Sequence, residues 1–419
     1  SRLLGFSLLC FAILLNGCGG REVSKAAVDS AEVTAAAAEK PRGEERASWD
    51  ITIPRGEPRH IQFETDQSTF MSITASPDGQ HLVFDLLGHL YQVSTDGGAA
   101  VSLTQASGLA INTQPQYSPD GSKIAFISDR LGNANLWVMN ADGTNPRIIV
   151  NEEDNRVSEP AWSPDGRFII AQRKKNSNRN ISIGLWRYAL EDGEPTLLVE
   201  GRTGSPSVSP DGATLYYHDH DARNMKQISV LDHYFVAALP LGGDEGDHQP
   251  TEVLRGVTGP TISPNGKLLA FGRRLPGQYT EYKGLKHGPR NSLWVRDLST
   301  GEERMVLDPI ERDITETDDE LLQSSRALPA MGWSADSETL YVSQHGRIVR
   351  VRVADGAATL VPFTAVVDRQ LSEMTRASVQ LDLDGLIQSR YLRWARRSPV
   401  GTMNAVQAFG HIWLHDLVD

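Results

Sequence analysis

The chain has 419 residues, with 41 Lys and Arg against 53 Asp and Glu, a formal net charge of −12, 39% hydrophobic and 22% charged residues. That length exceeds the roughly 250–300 residues at which one hydrophobic core stops growing, so it calls for several domains or a repeat architecture. The acidic balance speaks against a nucleic-acid partner, and two cysteines, Cys10 and Cys18, exclude a disulfide scaffold and a cysteine-based zinc site.

Residues 3–15 read LLGFSLLCFAILL, an uncharged apolar run behind Arg2. It is shorter than the roughly 20 residues of a membrane-spanning helix and reads as the core of a signal peptide over residues 1–17. The run ends in Leu15-Asn16-Gly17-Cys18, which resembles a bacterial lipobox and implies acylation of Cys18, a lipid anchor in a membrane, and a place in the periplasm or cell envelope. Residues 18–48 are rich in Ala, Glu, Ser and Lys without sustained apolar periodicity and read as a tether.

From residue 49 to 419 one tetrapeptide recurs: Ser76-Pro77-Asp78-Gly79, Ser118-Pro119-Asp120-Gly121, Ser163-Pro164-Asp165-Gly166 and Ser209-Pro210-Asp211-Gly212. Weaker copies begin at Ser263, Ser334 and Ser398, with successive spacings of 42, 45, 46, 54, 71 and 64 residues. Proline presets the first corner of a tight turn, aspartate favours the second, and glycine takes the left-handed position after it. Apolar runs flank each turn, as in Lys123–Ser128 and Leu136-Trp137-Val138-Met139, giving four strands per unit. The third strand repeats an aromatic at Tyr91, Trp137, Trp186, Trp294 and Trp413, with Phe235 in the fourth unit. Such units predict an all-β, seven-bladed β-propeller of four-stranded antiparallel blades. The seventh unit supplies only three strands, ending near Leu414, so the N-terminal run Arg59–Glu64 is expected to complete it and close the ring.

The SPDG hairpins with Leu-Trp-Val third strands resemble the TolB-type propeller repeat. Over most of the folded part, through Val83-Phe84-Asp85-Leu86-Leu87-Gly88 and Gln407-Ala408-Phe409-Gly410-His411, the chain is similar to the propeller half of exported bacterial amidohydrolases. That resemblance implies a non-catalytic module that docks, or gates substrate for, a metal-dependent hydrolase domain outside this sequence, with a divalent metal only there. The alternative is a stand-alone TolB-like envelope lipoprotein that binds other proteins.

No G-x-S-x-G nucleophile elbow and no phosphate-binding glycine loop occur, and Asp382-Leu383-Asp384-Gly385 lacks the later glutamate of a calcium loop. His218-Asp219-His220 has the His-x-His form of a metal motif, but a zinc site needs three or four converging ligands, and the ordinary reading is a solvated hairpin end. The long insertions, Asp219–His233, Leu275–Arg290, Asp308–Leu328 and Val366–Ser389, all fall between second and third strands or between blades, hence on the face opposite the SPDG turns. There the candidate binding residues are Tyr279, Tyr282 and His287 in one loop and Asp313, Asp318, Asp319 and Glu320 in an acidic one. Arg390, Arg393, Arg396 and Arg397, with Tyr391 and Trp394, are expected to pair with the acidic loops.

Overall fold

The computed structural model describes residues 50–419, except 70, 176–181, 192, 221–233, 243–248, 276–279, 283–284, 288–289, 311–328, 374–391, 409–410 and 418–419. The signal, Cys18 and the tether therefore lie outside the described residues.

Each SPDG copy makes the expected turn. Its serine Oγ donates to the Oδ1 of the aspartate, or of Asn265, at 2.5–2.7 Å in the first six units. The same serine Oγ accepts the N–H five residues on, as from His81, Lys123 and Phe168, each at 2.9 Å. The two side chains thus close the turn from inside, and the glycine that follows sits at φ 69–72° in five units. In the sixth, Ser337 takes that conformation at φ 64°. A non-glycine residue is retained there because its Oγ accepts the N–H of Asn265 in the preceding blade, at 3.1 Å. In the seventh unit Val400 stands where the aspartate would be, and Ser398 Oγ keeps, among the described residues, only the bond from Met403 N, at 3.2 Å.

Six four-stranded meanders follow. Blade one comprises Ile73–Ala75, His81–Leu86, His89–Ser94 and Gly98–Ser102. Blades two to six have innermost strands Asn112–Tyr117, Asn155–Trp162, Gly204–Val208, Val257–Ile262 and Gly332–Trp333, each paired outward to three more. The third-strand aromatics lie where expected, opposite the eighth residue after the turn serine, as Phe84 opposes Tyr91 and Phe126 opposes Trp137. Phe235 opposes Asp219 and is two residues out of phase; Ala237 holds the phased position.

Among the described residues the ring runs through six blades, with the sixth packed on the first, rather than the expected seven. Every junction has its own buried apolar cluster: Val83 with Ile124 between blades one and two, Ile127 with Trp162, Ile170 with Tyr217, Val236 with Phe271, Val295 with Trp333, and Tyr341 and Ile348 with Ile73 and Phe84 between blades six and one. Ile73 N donates to Ala330 O across that last seam at 2.8 Å. A Cβ on Gly332 would come within 2.9 Å of Ala75 N, so the two innermost strands meet through a bare backbone.

The expected closing strand is also placed differently. Arg59–Thr65 pairs antiparallel with Phe363–Leu371, from Arg59 opposite Leu371 to Thr65 opposite Ala365. Phe363–Leu371 in turn lies parallel on Gly98–Ser102, as a fifth strand of blade one. The cause is its alternation: Phe363, Ala365 and Val367 are buried in blade one's cluster, with Phe363 4.8 Å from the Phe84 ring. Apolar burial on one face of a strand fixes its register and partner. The seventh unit forms a separate three-stranded sheet, Arg393–Arg397, Met403–Ala408 and His411–Asp416. Among the described residues no helix is long and apolar enough to cross a membrane.

Candidate functional site

The innermost strands of blades two to five share a kink. A register shift follows Thr113, Ser158, Gly204 and Thr258, and the residue after each, Gln114, Glu159, Ser205 or Gly259, has φ of 48–63°. Each kinked residue precedes a proline, Pro115, Pro160, Pro206 or Pro260, which disfavours ordinary helical geometry before it. The kink aims the residue's own groups sideways along the ring. Asp85 accepts Ser72 N at 3.0 Å and, from the next blade, Gln114 N at 2.9 Å. Gln114 Oε1 then accepts Glu159 N at 2.7 Å, and Glu159 Oε2 accepts Ser205 N at 2.5 Å. Polar side chains thus latch blades one to four in sequence around the axis. Sequence reasoning missed this relay; its available signal was a proline three residues before four successive SPDG serines.

A second latch uses the ninth residue after the turn serine in blades one, three and six. There Asp85 serves blade one, Gln172 Nε2 donates to Thr203 O of the following blade, and Ser343 Oγ accepts Met71 N of blade one at 3.4 Å. His218 occupies this position in blade four. It is fully buried, with its ring 4.8 Å from that of Tyr234. The solvated hairpin end read from His218-Asp219-His220 is therefore corrected for His218: its strand runs Thr214–His220 and carries it into the core. His220 is the last residue of that strand, and among the described residues no three His, Cys, Asp or Glu gather as metal ligands.

Burial sets two groups of blade one against each other. Desolvation pushes Asp85 up to about 6, while desolvation and then the nearby Arg369 push His89 down to about 4. A raised carboxylate binds its proton more readily when folded, so Asp85 removes stability as pH rises from about 4 to 6. A depressed imidazole does the reverse, so His89 removes stability as pH falls from about 6.5 to 4. The two slopes oppose each other. Asp85→Asn is expected to leave a chain more stable at pH 6 than at pH 4.5, and His89→Gln one less stable, read from urea midpoints across that range. Below pH 4 a common loss is expected, because the turn hydrogen bonds hold Asp120 and Asp165 down at about 2.

On the SPDG side the six innermost strands enclose a cavity of about 240 Å³, whose walls include Thr74, Gln116, Pro160, Ser207, Thr261 and Trp333. Trp162 and Trp333 donate their Nε1–H to Gln116 O and Thr261 O of the preceding blades at 3.0 and 3.1 Å, so this end is also committed to blade contacts. The described strands that flank the insertions, such as Thr214–His220 and Tyr234–Pro240, meet them at the opposite face. Its blade edges are stiffened by guanidinium groups stacked on third-strand tryptophans: Arg130 on Trp137, Arg173 on Trp186 and Arg273 on Trp294, at 4.5–4.7 Å. The strands Thr280–Tyr282 and Leu285–His287 form a small hairpin on blade five, Thr280 opposite His287, which places the backbone of Tyr282 and His287 there. Tyr279, Asp313, Asp318, Asp319 and Glu320, with Arg390 and Tyr391, lie outside the described residues. At the common root of both loops Arg290 donates Nε–H and Nη2–H to the two oxygens of Asp308, each at 2.6 Å. This bidentate pair ties the end of one insertion to the start of the next.

These features define a β-propeller with a rigid axial latch and a loop-bearing face. Residues 65–251 match the TolB beta propeller domain model. The chain is 26% identical over 224 residues to the Tol-Pal system protein TolB of Francisella tularensis subsp. mediasiatica, covering 41% of this chain and 51% of that protein. It is 27% identical over 192 residues to the uncharacterized peptidase YuxL of Bacillus subtilis, covering 44% of this chain and 25% of that protein. TolB from Acinetobacter baumannii superposes with a TM-score of 0.48 at 14% identity, over 71% of this chain and 65% of that one. The chain thus spans about half of one curated relative and a quarter of the other. The protein carries a TolB-like β-propeller.

Proposed function

We propose that the chain is a non-catalytic, protein-binding propeller module of the bacterial cell envelope, whose insertion-bearing face docks or gates a partner hydrolase domain. The observation that carries this reading is the Arg290–Asp308 clasp. It fastens the end of one long insertion to the start of the next at a single root. Loops on a rigid scaffold are where propellers bind. The partner domain in this reading is amidohydrolase-like and holds its own divalent metal, while Cys18 carries a lipid that keeps the assembly at a membrane. The second reading, a stand-alone envelope scaffold, is favoured by the match to a Tol-Pal protein.

Arg290→Ala and Asp308→Ala are expected to weaken capture of the partner from envelope extract at least tenfold. Arg167→Ala, on an exposed SPDG-side pair, should leave capture unchanged. A captured metal-dependent hydrolase supports the first reading and a non-enzymatic envelope protein the second; equal capture by all variants would remove the insertion face from both.

A further inference from the structure

Each of the six blades places one residue two positions before its turn serine: Thr74, Gln116, Ala161, Ser207, Thr261 and Gly332. All six line the axial cavity on the SPDG side and form a collar around it. The positions on either side of the collar are taken up in holding blades together. Two residues earlier on the same strands lie Gln114, Glu159 and Ser205 of the relay. One residue later lie Trp162 and Trp333, whose N–H groups bond the preceding blades.

The collar itself keeps hydrogen-bonding capacity unspent. Thr74 Oγ1 and Ser207 Oγ accept the N–H groups of Tyr117 and Ile262 in the following blades, at 3.3 and 3.0 Å. Each hydroxyl still has its own hydrogen to donate. The Gln116 amide and the Thr261 hydroxyl make no hydrogen bond among the described residues. Gln116, Ser207 and Thr261 are half-buried, so a small molecule in the cavity can reach them.

The walls decide the class of ligand. None of the lining residues is charged, so an ion entering the cavity would lose water without gaining a counter-charge. Three hydroxyls and an amide spread around one axis match a molecule whose own hydroxyls radiate from a central ring. An extended peptide would instead need partners in a line along its backbone. Pro160, Pro206 and Pro264 add C–H surface of the kind that packs on the apolar edges of such a ring. The volume of about 240 Å³ is below the roughly 300–1,000 Å³ of sites for drug-sized molecules, which limits the ligand to a single ring.

We infer that the collar binds one uncharged pyranose, whose hydroxyls are held by Thr74, Gln116, Ser207 and Thr261. Such a ligand touches blades one, two, four and five together, so its binding also fastens the ring of blades. The site lies at the end opposite the insertion face, so either can fail alone.

The test titrates the full chain with the methyl glycosides of glucose, galactose and mannose and with N-acetylglucosamine, read by saturation-transfer NMR. Glucuronate and glucosamine serve as charged counterparts. At least one neutral sugar is expected to saturate in the millimolar range and to raise the urea midpoint, with both charged sugars at least tenfold weaker. Gln116→Leu/Thr261→Val should weaken the neutral sugar at least tenfold. The same variant should keep its urea midpoint in the absence of sugar, because neither side chain bonds the rest of the protein. Saturation by none of the neutral sugars, equal binding of a charged one, or full affinity in the double variant would overturn the inference.

Discussion

Glu159→Leu is expected to lower the unfolding free energy by about 3 kcal/mol, against about 1 kcal/mol for Glu159→Gln, both read from urea denaturation. Glu159 is 1% exposed and stands in the middle of the axial relay, donating its N–H to Gln114 and accepting that of Ser205. Leucine fills the space but leaves the Ser205 N–H buried without its acceptor, and an orphaned buried donor costs more than the bond itself is worth. Glutamine restores a neutral acceptor in the same place, so the difference between the variants measures the latch rather than packing. If the leucine chain is as stable as the glutamine chain, the relay does not hold blades three and four together.

Phe363→Ala is expected to cost about 3–5 kcal/mol, the usual loss for a large aromatic deleted from a packed core. It should also release the strap, Phe363–Leu371, from blade one. Amide exchange should accelerate at Arg59–Thr65 and Gly98–Ser102, the two strands that Phe363–Leu371 joins, with no change at His411–Asp416. Exchange at His411–Asp416 that rises together with Arg59–Thr65 would instead mean that the N-terminal strand completes the seventh unit.

The repeat, the turn chemistry and the third-strand tryptophans were legible in the sequence because each rests on residues within a few positions of one another. Ser118 and Asp120 satisfy each other inside one turn, and Trp137 meets Phe126 across one hairpin. Blade count was not, because it depends on which distant segment buries Phe363, Ala365 and Val367, and a six-residue run such as Arg59–Glu64 suits either of two edges equally well. The weak seventh turn was a warning, since Val400 offers its serine no acceptor. His218 was misread for a related reason. A local His-x-His shows alternate residues on one side of a strand but not whether that side meets solvent or the next blade. His218 stands nine residues after its turn serine, the position at which Asp85 and Gln172 are buried. The insertion-face residues Tyr279, Asp313, Asp318, Asp319 and Glu320 fall outside the described residues, and only their root at Arg290 and Asp308 is placed.

The strap on blade one also orders events in time. Tyr91 donates to Val366 O at 3.1 Å across 275 residues of chain, so the first blade to emerge during synthesis is among the last to be finished. Until residue 371 is available, the Gly98–Ser102 edge and the apolar pocket around Phe84 wait uncovered, whatever the later blades have done. Closure of such long loops is slow, and the waiting edge is the kind that pairs wrongly. In such a chain the first blade's edge is covered only once Phe363–Leu371 arrives.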